Sequence, residues 1–256
     1  MNEGGHAPGW RVVVATKRWF RVAALIVAAL LIAAVAGFCI WTRAARYPAF
    51  DEAAALADAS RTAEGWYVFE PAGEPEAGLV FYPGGLVDPR AYAPLMRQLA
   101  DSGVLAVIVP MPLDLAVFGV SRADRVLAAY PDVDRWMLGG HSLGGAMAAE
   151  YAKDGVSGID GLVFLAAYPA ESTDLTGIDV ASVTIVGTED GVALDVFEDS
   201  LGRLPEGAEL VVVEGGNHAQ FGNYGPQEGD GTATITREEQ QAQTVDAVLA
   251  LAERLD

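Results

Sequence analysis

One serine lies in a pattern of small residues that suits nucleophilic chemistry. Ser142 stands in Gly-His-Ser-Leu-Gly, inside the sequence GGHSLGG of residues 139–145. The apolar segment 136–138 precedes this pattern, and an alanine-rich segment of helical character follows it at 143–153. A strand, Gly-x-Ser-x-Gly and a helix are typical of a nucleophile elbow, a turn so tight that only small residues fit beside the serine. The pentapeptide alone is a weak motif, so its meaning depends on matching partners elsewhere in the chain.

The histidines offer one suitable base for this serine. A serine hydroxyl is a weak nucleophile near neutral pH and needs a base within hydrogen-bond reach. The chain has three histidines. His6 precedes a long apolar segment, and His141 is adjacent to the serine, where neighbouring side chains of a tight turn point apart. We therefore predict that His218, in the sequence EGGNH after the last apolar strand-like segment, is the base.

A carboxylate must orient the imidazole of the base. The apolar segment 183–186 is followed by GTEDG at 187–191, ahead of His218 in the chain. We predict that Asp190 is the orienting acid, and Glu189 in the same turn is the alternative. An Asp-Gly pair is also ordinary turn chemistry, which stays open as a structural explanation.

Backbone amides are needed to stabilise the negative charge that develops during acyl transfer. The amide of Leu143 follows the serine directly and begins the next helix. The second amide is expected from the loop 83–86, Pro-Gly-Gly-Leu, because glycines let the backbone approach a ligand closely. Gly85 is the first choice, Leu86 is the second, and a simple tight turn is the alternative.

Short apolar segments alternate with helical patterns through the rest of the chain. The predicted strands are 66–69, 78–82, 104–109, 136–138, 159–166, 183–186 and 210–213. The predicted helices begin after Asp88-Pro89, lie within 118–130, follow Ser142, and close the chain after a capping box of Thr236 and Glu239. This alternation predicts an α/β fold, a mostly parallel sheet with helices on both faces. Ligands of such sheets bind beyond the carboxyl ends of the strands, where the loops described above lie.

Residues 22–41 form an uninterrupted apolar segment of 20 residues without a charge. As a helix this segment would be about 30 Å long, the thickness of a bilayer's hydrocarbon core, so we predict one N-terminal transmembrane helix. Four basic residues precede it and two follow it: Arg11, Lys17, Arg18 and Arg21, then Arg43 and Arg46. This bias orients the N-terminus to the cytoplasm. A cleavable signal is the alternative, with Ala-Val-Ala at 34–36 as the cleavage site.

The chain is thus predicted to have four parts. These are a cytoplasmic basic tail at 1–21, a transmembrane signal anchor at 22–41, a stalk at 42–64 and a catalytic domain at 65–256. The expected location is the cell membrane, single-pass, with the domain outside the cytoplasm, or secretion if the signal is cleaved.

Charge limits the partners of the domain. The first 46 residues hold 6 of the 16 basic residues and 1 of the 35 acidic ones, which leaves 10 basic and 34 acidic residues, a net charge of −24. Such a domain repels nucleic acid, so the expected partners are a small ester or acyl substrate and, through the N-terminal helix, a membrane. Cys39 is the only cysteine, so no intramolecular disulfide is possible. The chemistry expected of the serine needs neither a metal nor an organic cofactor.

The motifs together resemble the α/β-hydrolase fold. GGHSLGG is similar to its nucleophile elbow, YPGG to its oxyanion loop, GTEDG to its acid turn and GGNH to its histidine loop, in the same chain order. The stretches YPGGLVDPRAYAPL, MPLDLAVFG and NHAQFGNYGPQEGDG resemble a bacterial branch, the dienelactone-hydrolase-like "alpha/beta hydrolase fold-5" proteins. The chain departs from lipases and esterases in two ways. Tyr82-Pro83 stands where they commonly have His-Gly, and only about 16 residues separate two strands between which many relatives insert a helical lid.

The motifs and the resemblance imply a serine hydrolase that cleaves carboxylic esters or thioesters through an acyl-enzyme on Ser142, and the apolar segment 22–41 would anchor it in the membrane. His218 would take the serine proton, and Asp190 would hold the imidazole in the right tautomer. Two alternatives remain: an acyltransferase that uses the same residues with an acceptor other than water, and a non-catalytic binding protein on a hydrolase fold.

Overall fold

The computed structural model describes residues 10–155, 158–193, 197 and 199–255. The chain divides into two compact units, Met1–Ala45 and Arg46–Asp256. His6 and the first part of the predicted cytoplasmic tail, residues 1–9, lie outside the described residues.

The first unit contains one long helix, α1 (Trp10–Ala44). Its segment Trp19–Ala44 is long and apolar enough to cross a membrane, and it includes the whole predicted span 22–41. Most of the large apolar side chains in this span are exposed.

The second unit is built around a seven-stranded sheet in the order β1-β3-β2-β4-β5-β6-β7. The strands are β1 (Tyr67–Phe69), β2 (Ala77–Tyr82), β3 (Val104–Ile108), β4 (Trp136–His141), β5 (Gly161–Leu165), β6 (Ala181–Gly187) and β7 (Glu209–Val213). Only β1 pairs antiparallel, with β3; the other described pairs are parallel. Each predicted strand overlaps one of these, and the α/β fold is confirmed. The order places β4, which precedes Ser142, at the centre of the sheet.

Five helices of the second unit lie entirely within the described residues: α2 (Asp51–Asp58), α3 (Ala93–Asp101), α4 (Ala123–Ala129), α5 (Leu143–Ala152) and α6 (Arg237–Ala252). Strand β2 shows how two cores arise. Leu79 and Phe81 belong to a core cluster with residues of α3 and α6, whereas Val80 and Tyr82 belong to one with residues of α4 and α5. Successive side chains of a strand point to opposite faces, so a continuously apolar strand is buried on both.

The helix predicted within 118–130 is α4. Two 3₁₀ turns, Ala116–Phe118 and Val120–Arg122, precede α4 and are separated by Gly119. The buried hydroxyl of Tyr82 accepts a hydrogen bond from the amide of Ala123 at 2.9 Å and donates one to the Val120 carbonyl at 2.7 Å. This tertiary contact fixes the start of α4, and a local helical pattern does not reveal it.

The structure describes the whole range predicted as a stalk, residues 42–64. Residues from Arg46 onward belong to the second unit, and α2 lies inside the predicted stalk. Ala53 and Ala57 of α2 are buried, and Ala57 joins the core cluster that contains α3. The small side chains of these alanines let α2 pack closely.

The final helix begins at the predicted capping box. The side chain of Thr236 accepts a hydrogen bond from the Glu239 amide at 3.2 Å, and the Glu239 carboxylate accepts one from the Thr236 amide at 2.8 Å. Buried Val248 and Leu251 then face the core.

Replacement of Thr236 by alanine removes one half of this box. We expect the free energy of unfolding to fall by about 1 kcal/mol, because a helix amide loses its acceptor. Denaturant unfolding checks the value. Thr232→Ala, at an exposed threonine just before the helix, is the matched control and should change stability by less than about 0.5 kcal/mol.

Candidate active site

Ser142 occupies the sharp turn between β4 and α5. Its backbone has φ 51° and ψ −122°, a conformation rare for any residue with a side chain. The Ser142 amide donates to the Leu165 carbonyl at 2.9 Å, and its carbonyl accepts from the Ala146 amide at 3.1 Å. The turn is therefore held on both sides, by β5 and by the first turn of α5.

Three glycines beside Ser142 have no room for a side chain. A Cβ on Gly140 would lie 2.5 Å from the carbonyl carbon of Gly144. A Cβ on Gly144 would lie 2.5 Å from the carbonyl oxygen of Pro83, and one on Gly145 would collide with the Cβ of Ala167. The helix thus lies directly against the ends of its neighbouring strands, which explains the glycines of GGHSLGG.

Backbone strain collects at the same edge of the sheet. In the described part of the chain, the non-glycine residues with positive φ are Leu86, Leu113, Asp114, Ser142 and Ala166. Each of them follows the carboxyl end of β2, β3, β4 or β5. Such conformations cost about 1–3 kcal/mol each and concentrate at functional sites, so the strain marks this edge as the site.

His218 and Asp190 form a buried pair at this edge. The Nδ1 atom of His218 lies 2.9 Å from Oδ2 of Asp190, and both side chains are at most 1% exposed. The second oxygen of Asp190 accepts the amides of Val192 and Ala193 at 2.9 and 2.8 Å. These contacts fix the orientation of the carboxylate toward the imidazole. Glu189, the alternative acid, instead places a carboxylate oxygen 3.5 Å from the Thr188 hydroxyl.

Two residues that the sequence did not single out hold the histidine loop. The carboxylate of Asp230 accepts the amides of His218 and Ala219 at 3.0 and 2.8 Å. Gln240 of α6 accepts the Asn217 amide at 3.0 Å and donates to its carbonyl at 2.8 Å. No local pattern could have revealed these contacts, since Gln240 is 23 residues from its partner.

Ser142 and His218 line one cavity of about 270 Å³. Its other lining residues are small or apolar, apart from a tyrosine: Leu143, Ala146, Ala166, Ala167, Tyr168, Val192 and Ala193. The Nε2 atom of His218 is buried and has no hydrogen-bond partner among the described residues. This nitrogen is thus free to meet a proton donor in the cavity, and catalytic hydrogen bonds often tighten only when substrate binds.

Hydrogen bonding distinguishes Leu86 from the other two predicted oxyanion donors, Gly85 and Leu143. The amide of Leu86 donates to the Asp114 carbonyl at 2.8 Å and is therefore occupied. Within the described chain the Gly85 amide donates no hydrogen bond. Leu143 is the first residue of α5, and the amides of a helix's first turn have no partner within the helix. The two residues are adjacent, since a Cβ on Gly85 would lie 3.1 Å from Cδ2 of Leu143. Gly85 and Leu143 are thus the donors that the structure leaves available.

His141 is not among the residues that line the cavity of Ser142 and His218. It is fully buried, and its Nδ1 lies 2.8 Å from the Tyr92 hydroxyl. Burial, and then the neighbouring His218 ring, lower the pKa of His141 well below its usual value, and the His218 carbonyl acts weakly in the opposite direction. His141 is therefore neutral near pH 7.

Residues 46–50 are hydrogen-bonded to two loops near the site. The Tyr47 amide donates to the Leu86 carbonyl at 2.8 Å, and the Phe50 amide donates to the Asn223 carbonyl at 2.8 Å. Arg46 pairs with Asp88 and Asp114 at 3.3 and 2.8 Å. Burial of Asp88 opposes its ionisation, but the hydrogen bonds from Arg90 and the charge of Arg46 outweigh it and lower the pKa of Asp88.

The described residues contain no cluster of three or more His, Cys, Asp or Glu side chains that could hold a metal ion. The groups gathered at the carboxyl edge are instead a hydroxyl, an imidazole, a carboxylate and unpaired amides.

A central parallel sheet with a strained serine between strand and helix defines the class of α/β-hydrolase folds. The model of the alpha/beta hydrolase family matches residues 78–242, and the chain belongs to this family. No curated protein matches the sequence.

Solved structures share the fold at low sequence identity. Est1E from Butyrivibrio proteoclasticus with bound ferulic acid is 13% identical, with a TM-score of 0.57 over 74% of this chain and 96% of that one. MenH from S. aureus is 13% identical, with a TM-score of 0.56 over 73% and 97%. The esterase EaEST from Exiguobacterium antarcticum is 14% identical, with a TM-score of 0.53 over 75% and 98%.

The close approach at Gly144 is testable. Gly144→Ala should lower the free energy of unfolding by about 2 kcal/mol or more, because the added Cβ meets backbone atoms that cannot move aside. Denaturant unfolding measures the loss. Gly73→Ala is the matched control, since nothing lies within 4 Å of its added Cβ, and equal stability of the two variants would contradict the packing described.

Proposed function

We propose that this chain is a membrane-anchored serine hydrolase that cleaves carboxylic esters or thioesters. The observation that carries the proposal is the pairing of His218 with Asp190 beside the strained Ser142, in one cavity at the carboxyl edge of the sheet. The family and its esterase neighbours support hydrolysis as the reaction class.

The proposed reaction has two steps. In the first, His218 Nε2 takes the proton of the Ser142 hydroxyl while its oxygen attacks the substrate carbonyl, and the protonated His218 then gives its proton to the departing alcohol or thiol. In the second, His218 takes a proton from water, whose oxygen attacks the acyl-serine and releases the acid. The proton then returns to the Ser142 oxygen.

The surrounding groups have distinct roles in this proposal. Asp190 keeps the proton of His218 on Nδ1, so that Nε2 faces the cavity as a base. The amides of Gly85 and Leu143 stabilise the oxyanion of each tetrahedral intermediate. Leu86 is left out of this role because its amide is occupied by Asp114.

The cavity favours a small and uncharged acyl group. Its lining includes Ala146, Ala166, Ala167 and Ala193, and no charged side chain apart from His218 in its protonated state. Apolar pockets with few polar groups bind apolar ligands by removing their surface from water. We therefore expect short-chain acyl esters to react faster than long-chain ones.

Ser142→Ala tests the nucleophile. We expect turnover of a short-chain nitrophenyl ester to fall by about 10⁴-fold or more, because no acyl-enzyme can form. A fluorophosphonate probe should label the wild-type protein and leave this variant unlabelled. Retention of most activity by a folded Ser142→Ala protein would contradict the proposal.

The orienting acid is tested by two matched substitutions in one turn. Asp190→Asn should lower turnover by about 10³- to 10⁴-fold, because an asparagine amide favours the wrong tautomer of His218. Glu189→Gln should change turnover by less than about twofold. The opposite ranking in ester kinetics would assign the role to Glu189.

We also propose that α1 anchors the protein with its catalytic unit outside the cytoplasm, following the basic residues that precede the apolar span. In a Cys39→Ser background, a single cysteine at the exposed Glu253 should react with a membrane-impermeant maleimide on intact cells. A cysteine at position 2 should react only after lysis. The reverse labelling pattern would indicate the opposite topology, and a shortened chain in the medium would indicate cleavage of the N-terminal segment.

A further inference from the structure

A buried series of contacts connects the loop of Gly84 and Gly85 to His218. The hydroxyl of Tyr92 accepts a hydrogen bond from the amide of Gly84 at 3.0 Å and lies 2.8 Å from Nδ1 of His141. Tyr92 and His141 are both fully buried. The hydroxyl oxygen accepts from Gly84, so assigning its proton to a hydrogen bond with His141 Nδ1 places the ring proton of the neutral His141 on Nε2.

The His141 ring then packs against the base. The ring centroids of His141 and His218 are 4.4 Å apart, with an angle of 50° between their planes. Phe221 and Tyr224 enclose His141 from other directions, at centroid distances of 5.8 and 6.5 Å. His218 is thus held at Nδ1 by Asp190 and across its face by His141.

The contacts at the Gly84 end of this series are equally close. A Cβ on Gly84 would lie 2.7 Å from His141 Nδ1 and 2.9 Å from the Tyr92 hydroxyl. The backbone of Gly84 therefore lies directly against both side chains. The next residue is Gly85, whose amide is the proposed oxyanion donor.

We propose that Tyr92 and His141 are positioning residues of the hydrolase, which fix the oxyanion loop and the His218 ring relative to each other. The inference rests on the proposed function of Ser142 and His218. Neither residue touches the substrate. Tyr92 acts through Gly84 on the donor at Gly85, and His141 acts through ring contact on His218.

Tyr92 and His141 are both uncharged, which suits their contact with His218, a base that becomes positively charged during the proposed reaction. A protonated His141 would oppose the imidazolium that forms on His218 only 4.4 Å away. Burial raises the pKa of the Tyr92 hydroxyl and lowers the pKa of His141, so a neutral phenol donates to a neutral ring. The link therefore adds orientation without adding charge beside the reacting groups.

Four variants of the full chain, assayed with a soluble short-chain ester, test the proposal. Tyr92→Phe keeps the ring and removes only the hydroxyl. His141→Leu removes the ring and the acceptor, and His141→Asn keeps an oxygen that can accept from Tyr92. Tyr224→Phe is the matched control, because its buried hydroxyl bonds to Gln227 at 3.1 Å and not to His141. Rates are expressed per molecule labelled by a fluorophosphonate probe, which counts folded sites.

We expect kcat to fall about tenfold to a hundredfold in Tyr92→Phe and His141→Leu, while KM changes less than about threefold. The reason is that oxyanion and base geometry matter more in the transition state than in the bound substrate. His141→Asn should keep a kcat severalfold above that of His141→Leu, and Tyr224→Phe should match the wild type.

Three outcomes would overturn the inference: a kcat within twofold of wild type for Tyr92→Phe, equal kcat for the two His141 variants, or an equal loss in Tyr224→Phe. Activity in Ser142→Ala would instead overturn the proposed function, so the two failures are distinguishable.

Discussion

The reversal of the chain at Ser142 is the constraint on which the site depends. The backbone passes from the central strand β4 into α5 within one residue, at φ 51°. This is possible only because α5 begins in contact with the ends of its neighbours, at Gly140, Gly144 and Gly145. The same contact brings the amide of Leu143 next to the loop of Gly85. The serine and the proposed oxyanion donors are thus placed together by one packing arrangement.

The sheet supports the strain that this arrangement creates. Positive φ values at Leu86, Ser142 and Ala166 follow three adjacent strands, β2, β4 and β5. Each would be unfavourable in a free chain, but the amides of all three donate hydrogen bonds to carbonyls of other segments. Parallel strands end at one edge, so their strained loops meet there and present backbone and side-chain groups to one cavity.

Two neighbouring histidines show how surroundings set a residue's role. His218 meets a carboxylate at Nδ1 and leaves Nε2 without a hydrogen-bond partner among the described residues, which suits a base that becomes an imidazolium. His141 meets a phenol hydroxyl at Nδ1 and is enclosed by aromatic rings, which keeps it neutral. Their rings touch, yet only one of them has a partner that stabilises positive charge.

The sequence by itself determined the fold class, the seven strands and the location of Ser142, Asp190 and His218 in loops that follow strands, because these depend on local patterns and on their order along the chain. It did not reveal that α2 packs into the core, that Leu86 donates its amide to Asp114, or that Tyr92 joins Gly84 to His141. Those contacts join residues that are far apart in the sequence, such as Tyr92 and His141, which are 49 positions apart. Hydrogen bonds and packing of this kind form only when the sheet brings the loops together, so the tertiary structure alone decided them.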